Sequence, residues 1–600
     1  MKNNILKYCC AALLIPALSG CLDYDIPSDE FSSSQKQVDD TVYSGDADKL
    51  DYEYQPTEEE VDDAVQAFNK NDYFGQFLTA GGYLMGSKAG IGSMSEHSYQ
   101  YYYSLTTDNY AGYTTMINSS FMGGFTIETT YSYTRAANEG PYGRLLDMKN
   151  YLGNQMNNDL ANYLVEYKAL CLLMFDHVAL EMTDLYGAIP YSDHKSNKQT
   201  NPFTFNKGAD IYAAIVKNLD DINACLANFE NRPDWYKDRL NEILLMSDGL
   251  SQDGTYESWR RYANSLKLRL AMHYVKYDPS QAQQWAEEAV AAGVVESQQQ
   301  EMGFLPTALV PVFGGIPMKA IMSGWNDIRV NASFISMLTS LQHPYIEYMI
   351  SKNSNEIINQ KTGETMPANT AIVGVRAGQS MYGSQQYFSN MRVAYSQFEG
   401  EDFEFMPAYA IKWAEMDFHR AEGALRGWNM GGTAQFFYER GIRNGCCGLR
   451  NEEFMESPYD DLIEDYLEVT QPVEYTYVDP MGTSPDIESV TKIGVKWNEG
   501  DDPETKLEKI MTQKYIAVFP YSYEAWTDMR RTGYPKTFPV LKPYRGDYSL
   551  LYGDLIRRMP LPYGDTSAGL SDISTSGLDA IGGADLQATR VFWDIDQPNF

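Results

Sequence analysis

Three stretches of this chain carry residue types that hold a ligand without reacting with it. The first is HSYQYYYSLTTDNYAGY at 97–113. It offers Tyr99, Tyr101, Tyr103, Tyr110 and Tyr113, with Asp108 and Asn109 among them. The second places Asn326 and Asp327 after Trp325, and the third carries Tyr382 and Tyr387. A binding platform of this kind needs exposed rings, which stack on a sugar or peptide face while neighbouring amides and carboxylates bond to the rim. The ligand contacts expected on this basis are Tyr99, Asp108, Asn109, Tyr110, Tyr113, Trp325, Asn326 and Tyr382. The chain has 46 tyrosines, most of which must simply fill half-buried positions.

Covalent chemistry finds weaker support. Ser192-Asp-His-Lys195 matches S-x-x-K and Lys361-Thr-Gly363 matches K-T-G, the pair used by penicillin-recognising enzymes. In those enzymes the serine opens a helix, whereas Ser192 reads as loop, and S-D-N is absent. A G-x-S-x-G elbow is also missing. The six histidines (His97, His177, His194, His273, His343 and His419) include no H-E-x-x-H. His419 and Glu422 stand one helical turn apart, a spacing commoner in packed pairs than in metal sites. With 81 acidic residues, two carboxylates at glycosidase spacing would arise by chance, so their presence argues nothing. Calcium held by loop aspartates suits so acidic a chain, but no EF-hand spacing supports it. The sequence therefore predicts no catalytic residue, no metal ligand and no cofactor.

These residues must be positioned by a helical body. Apolar residues recur in steps of three and four at Leu160, Leu164, Tyr167, Cys171, Met174, Val178, Met182 and Leu185, ending at Gly187 and Pro190. A second stripe runs from Ile211 to Leu226 and a third from Trp259 to Tyr274. Asp278-Pro279 opens a fourth that ends near Gly293. Four helical hairpins are expected at about 160–228, 258–293, 408–444 and 507–532. The inserts between and after them, at about 295–405, 446–500 and 535–600, must fold over the helical layer. Thr57, followed by Glu58 to Glu60, marks the start of the first helix. Residues 90–145, rich in Gly, Ser, Thr and Tyr, read as a long loop. Hairpins stacked on hairpins give a mainly α, tetratricopeptide-like scaffold with a large irregular face.

Residues 1–20 read as an export signal. Lys2 and Lys7 precede an apolar run from Tyr8 to Leu18, and Leu18-Ser19-Gly20-Cys21 has the small residues of a lipoprotein cleavage site. The run is far shorter than the roughly 20 residues that span a bilayer. Cys21 becomes the lipidated first residue of the mature chain, followed by an acidic tether over 21–57 and a single body over 58–600. The net charge is −34, and loss of Lys2 and Lys7 makes it more acidic still. That balance excludes nucleic acid, which requires clustered Lys and Arg, and excludes anionic lipid bound by a basic patch. Of the seven cysteines, Cys171 and Cys225 read as core residues. Cys446 and Cys447 are adjacent, a poor spacing for a disulfide or zinc.

Six segments in order carry a resemblance. They are ALEMTDLYGAIPY at 179–191, FTFNKGADIY at 203–212, WRRYANSLKLRLAM at 259–272, AEMDFHRAEGA at 414–424, and QKYIAVFPYSYEAWTDMRRTGYP at 513–535 with RVFWD at 590–594. Behind a lipoprotein signal, this series resembles the SusD/RagB family of Bacteroidetes outer-membrane lipoproteins from about residue 60 onward. It departs at His343-Pro344-Tyr345, where an Asp-Pro-Arg-like triplet is usual, and at His419, where an aliphatic or aromatic residue is usual. The resemblance implies the tetratricopeptide-like fold and a lipid-anchored place in the outer membrane facing the cell exterior. It also implies a SusC-like TonB-dependent transporter as partner, and a role in capturing a glycan, or in some members an oligopeptide, for import. A binding protein is implied, with a surface glycoside hydrolase as the less favoured reading. Trp259, Trp526 and Trp593 are expected as core anchors, and Asp528, Arg530 and Arg531 as buried ion pairs between layers. Cys21→Ala is expected to abolish fatty-acid labelling and to move the protein out of the membrane fraction.

Overall fold

The computed structural model describes residues 46–600 apart from 87–95, 118–139, 200–201, 305–317, 360, 380–393, 401–402, 404–405, 446–459, 542–549, 551 and 563–575. Helix α1 (Glu58–Lys70) begins where a reciprocal cap forms. The Thr57 Oγ1 accepts from the Glu60 N–H, and the Glu60 carboxylate accepts from the Thr57 N–H at 2.8 Å. Helices α2 (Tyr73–Leu84) and α3 (Gly143–Met156) lead to α4 (Val165–Tyr186), whose every side chain is buried. Gly187 stops α4 at φ 80°, a left-handed conformation that a side chain would strain.

Helices α5 (Gly208–Ala227), α6 (Asp234–Ser247), α7 (Tyr256–His273) and α8 (Pro279–Ala292) follow. Asp278 caps α8 by accepting from the Gln281 N–H, and Pro279 takes its first turn. Helix α9 (Ala332–Leu341) belongs to the mid-chain insert. Then come α10 (Trp413–Leu425), α11 (Ala434–Gly445), α12 (Pro503–Ala517) and α13 (Ser522–Thr532).

The helices pack in succession. α2 lies on α3, α3 on α4, α4 on α5, α5 on α7, and α7 on both α8 and α10. α10 and α11 form a close pair across which α12 lies. This is the expected tetratricopeptide-like stacking. α12 packs mainly on α10 and α11, whereas α13 packs mainly on the short helix Thr107–Ala111, and the two meet each other more sparsely. The opposite, irregular face is stitched by short antiparallel pairs, Thr114–Met116 with Ile328–Val330 and Met302–Phe304 with Ala408–Ile411. Part of this face has its own small core around Ile357, Val375, Tyr395, Tyr477, Met481 and Phe538.

Two expectations fail locally. Residues 96–111 are not loop: Glu96–Tyr99, Gln100–Ser104 and Thr107–Ala111 are helical turns. The Thr107 and Ser522 hydroxyls hydrogen-bond at 2.7 Å, and the Tyr113 hydroxyl donates to the Tyr515 carbonyl at 2.6 Å. Tertiary contacts thus override weak local propensity. The end of the predicted tether is also docked on the body. The Lys168 ammonium donates to the carbonyls of Asp46 and Lys49, Lys195 pairs with Asp48 at 2.6 Å, and Ala47 and Leu50 are buried.

The helical layer is joined by a buried ionic lattice. On α12 the Lys514 ammonium meets Glu524 at 2.5 Å and Asp528 at 2.8 Å, both from α13. Arg269 of α7 grips Glu415 of α10 with two bonds of 2.6 and 2.8 Å, and His273 of α7 meets Glu524 at 2.9 Å. Arg531 of α13 grips Glu422 of α10 and also binds Asp528. Burial pushes the Glu415 carboxyl up, but Arg269 and His419 outweigh it and hold the group at about 2. Burial likewise opposes charge on His273, yet Glu524 and Asp184 raise it to about 9.

The expected pairs are thus present for Asp528 and Arg531 but not for Arg530, which donates to carbonyls and lies over the rings of Trp526 and Trp593. Lys514→Met leaves Glu524 and Asp528 buried without that cation. It is expected to lower the free energy of unfolding in urea by about 3–5 kcal/mol.

Candidate functional site

The irregular face holds an open cleft of about 490 Å³. Its walls come from three segments. Lys319 and Ser323 belong to the turn that includes Ala320–Gly324. Ser351, Lys352 and Ser354 follow the short helix Tyr345–Tyr348 and the bridge residue Ile350, and Tyr395, Gln397, Phe398 and Glu399 run beside them. The last two segments are held together by backbone. Ile350 bridges Phe398, the Ser351 N–H donates to the Gln397 carbonyl at 2.9 Å, and the Glu399 N–H donates to the Met349 carbonyl at 2.9 Å. Asn369, at φ 58°, completes the wall, and its N–H donates to the Asn353 carbonyl. Two ammonium groups, a carboxylate, several hydroxyls and two amides therefore face one space. Such a lining can hydrogen-bond to a polyhydroxylated or amide-bearing ligand from several sides.

Trp325 follows Ser323 by two residues, and 42% of its surface is exposed. The turn that presents it is tightly fixed. The Trp325 N–H donates to the Ala320 carbonyl at 2.9 Å, and the Asp327 N–H donates to the Ile321 carbonyl at 3.0 Å. Arg329, fully buried, donates to the Met322 carbonyl and to the Asn326 side-chain oxygen. Asn326 sits at φ 58°, so it and Arg329 shape the turn. Asp327 is buried and accepts from Gln100 at 2.7 Å, which ties this turn to the 96–104 segment.

The other expected contacts fall elsewhere. Tyr99, Asp108, Asn109, Tyr110 and Tyr113 are all buried, so they form no exposed platform. Tyr113 is wedged among Phe334, Tyr515 and Phe519 with ring centroids 4.6–5.3 Å away, and Tyr110 lies 5.2 Å from Trp526. These rings fill the junction between α9, α12 and α13. Tyr99 and Tyr103 stack on each other and line a slot of about 30 Å³, the volume of one water and too small for a sugar ring. Tyr382 and Tyr387 lie outside the described residues, as do Cys21, Cys446 and Cys447. Lys319, Lys352, Asn369, Gln397 and Glu399 escaped the sequence reading because each is one polar residue in an unpatterned segment.

Groups that look reactive are engaged. Ser192 is not in loop but in the short helix Tyr191–Lys195, and Lys195 binds Asp48 and the Tyr191 hydroxyl. Glu415, His419 and Glu524 bring ligand atoms within 4.8 Å of one another, which would suit a metal. The Lys514 ammonium already lies there, bonded to Glu524 and 3.2 Å from His419 Nε2, and supplies the positive charge. No described helix is long and apolar enough to cross a membrane.

Comparison with known proteins agrees with this architecture. The family described as "SusD-like: Susd and RagB outer membrane lipoprotein" matches residues 60–594. The chain belongs to the SusD/RagB family. A chitin-binding SusD homologue from Flavobacterium johnsoniae is 30% identical at a TM-score of 0.71, covering 88% of this chain and 100% of that one. A SusD homologue from Bacteroides ovatus is 27% identical (TM-score 0.65; 87% and 99% covered), and one from Bacteroides thetaiotaomicron is 26% identical (TM-score 0.67; 87% and 98% covered). No curated protein sequence matches. The family is one of nutrient-binding proteins associated with the outer membrane, so binding is the general activity to be explained.

Burial raises the Asp108 carboxyl to about 7, although bonds from Ser522, Tyr99 and Ser104 oppose the shift. A carboxyl raised on folding contributes stability in acid that is lost as pH rises through its folded value. That loss begins near the ordinary value of 3.8 and is complete near 7, so Asp108→Asn is expected to raise the melting temperature most at pH 8 and by less at pH 5. Ligand binding should be unaffected, because Asp108 is buried away from the cleft.

Proposed function

We propose that this SusD-family protein captures an oligosaccharide in the cleft lined by Lys319, Lys352, Asn369, Gln397 and Glu399, with Trp325 as the stacking ring beside it. The exposed Trp325, two residues along the chain from the cleft residue Ser323, is the observation that carries this reading. An indole gives a large, rigid apolar face to a sugar ring, and the lysine, amide and carboxylate groups bond to its hydroxyls. The 30% identical relative binds chitin, so N-acetylglucosamine oligomers are the first ligands to try. The cargo is held by stacking and hydrogen bonds and is released chemically unaltered.

The mature protein is anchored by lipid at Cys21 in the outer membrane, faces the exterior, and hands its cargo to a SusC-like TonB-dependent transporter. The family supports this arrangement. A basic patch does not account for membrane attachment in so acidic a chain.

Isothermal titration of the mature protein with chitin oligosaccharides, followed by chromatography of the recovered sugar, tests the reading. Trp325→Ala is expected to weaken binding at least tenfold, about 1.4 kcal/mol, with the melting temperature unchanged. Unchanged affinity in that variant removes Trp325 and the cleft from the proposal. Shortened oligosaccharides in the recovered sugar would make the protein a hydrolase.

A further inference from the structure

A second cleft, of about 330 Å³, lies between the end of α13 and residues 595–599. Lys276, Arg530, Arg531, Arg557 and Arg590 line it together with Glu504 and Asp596, and Arg590 meets Asp596 at 3.4 Å. Two of these cations have no carboxylate partner among the described residues. Arg530 is buried and donates only to neutral oxygens, the carbonyls of Trp526, Asp184 and Arg557 and the Thr527 hydroxyl. Its guanidinium lies 3.6 Å from the Trp526 ring centroid and 4.7 Å from that of Trp593. Lys276 donates to the Gln597 carbonyl at 2.8 Å.

The carboxylates that act on these two cations are already engaged. Asp184 accepts from Tyr212 and Trp593, Asp594 pairs with Arg557 and Arg590, and Glu504 accepts from Tyr534 and Asn599. Burial lowers Lys276, with Arg531 and Arg426 adding to the effect, and lowers Arg530 to about 10 despite Asp184 and Asp594. Both groups thus carry charge at a cost that an incoming anion would relieve. Arg557 and Arg590 share Asp594, and Arg590 also meets Asp596, so Lys276 and Arg530 are the cations in this lining that no carboxylate balances directly.

We propose that this cleft binds a small oxyanion, a carboxylate or sulfate group, between the Lys276 ammonium and the guanidinium groups of Arg557 and Arg590. Arg530, buried in the same lining, adds a fixed positive charge. The site is independent of Trp325 and of the larger cleft, so it stands whether or not the oligosaccharide reading does.

The test titrates the mature protein with sodium sulfate, sodium acetate and sodium glucuronate, with ionic strength held constant by sodium chloride. Calorimetry and the melting temperature are followed. A saturable response is expected in the millimolar range, weakened at least tenfold in Lys276→Gln and again in Arg590→Gln, and unchanged in Trp325→Ala. Saturation by sulfate or acetate assigns a free oxyanion, and saturation by glucuronate alone assigns a sugar acid. Either supports the site. A response that never saturates with any of the three, or one that survives intact in both cleft variants, overturns it.

Discussion

The scaffold depends on one buried ammonium. Lys514 stands where α12 meets α13 and α10, and its two carboxylate partners are shared onward with His273 of α7 and Arg531 of α13. Taking ions out of water is costly, and the cost is recovered only when every partner is present at close range. A lattice of this kind penalises partial assembly, because a helix missing from the array leaves a charge stranded. It therefore fixes which helices meet and in what register, beyond the non-directional pull of the surrounding apolar core.

The same lattice explains why a chain so rich in Glu, His, Lys and Arg offers little chemistry in its interior. Glu415, His419 and Glu524 have the composition of a metal site or an acid–base pair, but each is already committed to a neighbour. Polar residues also border an open cleft on the irregular face, where the segments around 319–323, 351–354 and 395–399 converge. A stiff helical layer that carries variable segments is a common way to place binding groups, since the segments can change without disturbing what supports them. The Trp325 turn shows how such a segment is held. Arg329 is buried beneath it and bonds to the turn from below.

Elements announced by local backbone chemistry were legible in the sequence. Thr57 with Glu60, Gly187 and Asp278-Pro279 each mark a helix end by a cap or a left-handed glycine, and each does so in the structure. What depended on distant partners was not legible. Tyr110 and Tyr113 look like display residues in a Gly- and Thr-rich stretch, and they are buried by distant rings, Phe334 in the mid-chain insert and Trp526, Tyr515 and Phe519 some 400 residues later. Helix α6 was missed because its apolar positions are interrupted, with Leu245 and Met246 left exposed near its end. Trp325 was found because a lone Trp beside Asn and Asp is conspicuous. The walls of its cleft carry no comparable signal.

Trp593 packs against Arg530, and its indole N–H donates to Asp184 near the end of α4. It thereby joins positions 409 residues apart in the chain. A chain that leaves a ribosome or a translocation channel amino end first cannot close this junction until residue 593 has emerged. The late arrival of one side chain thus delays completion of the core.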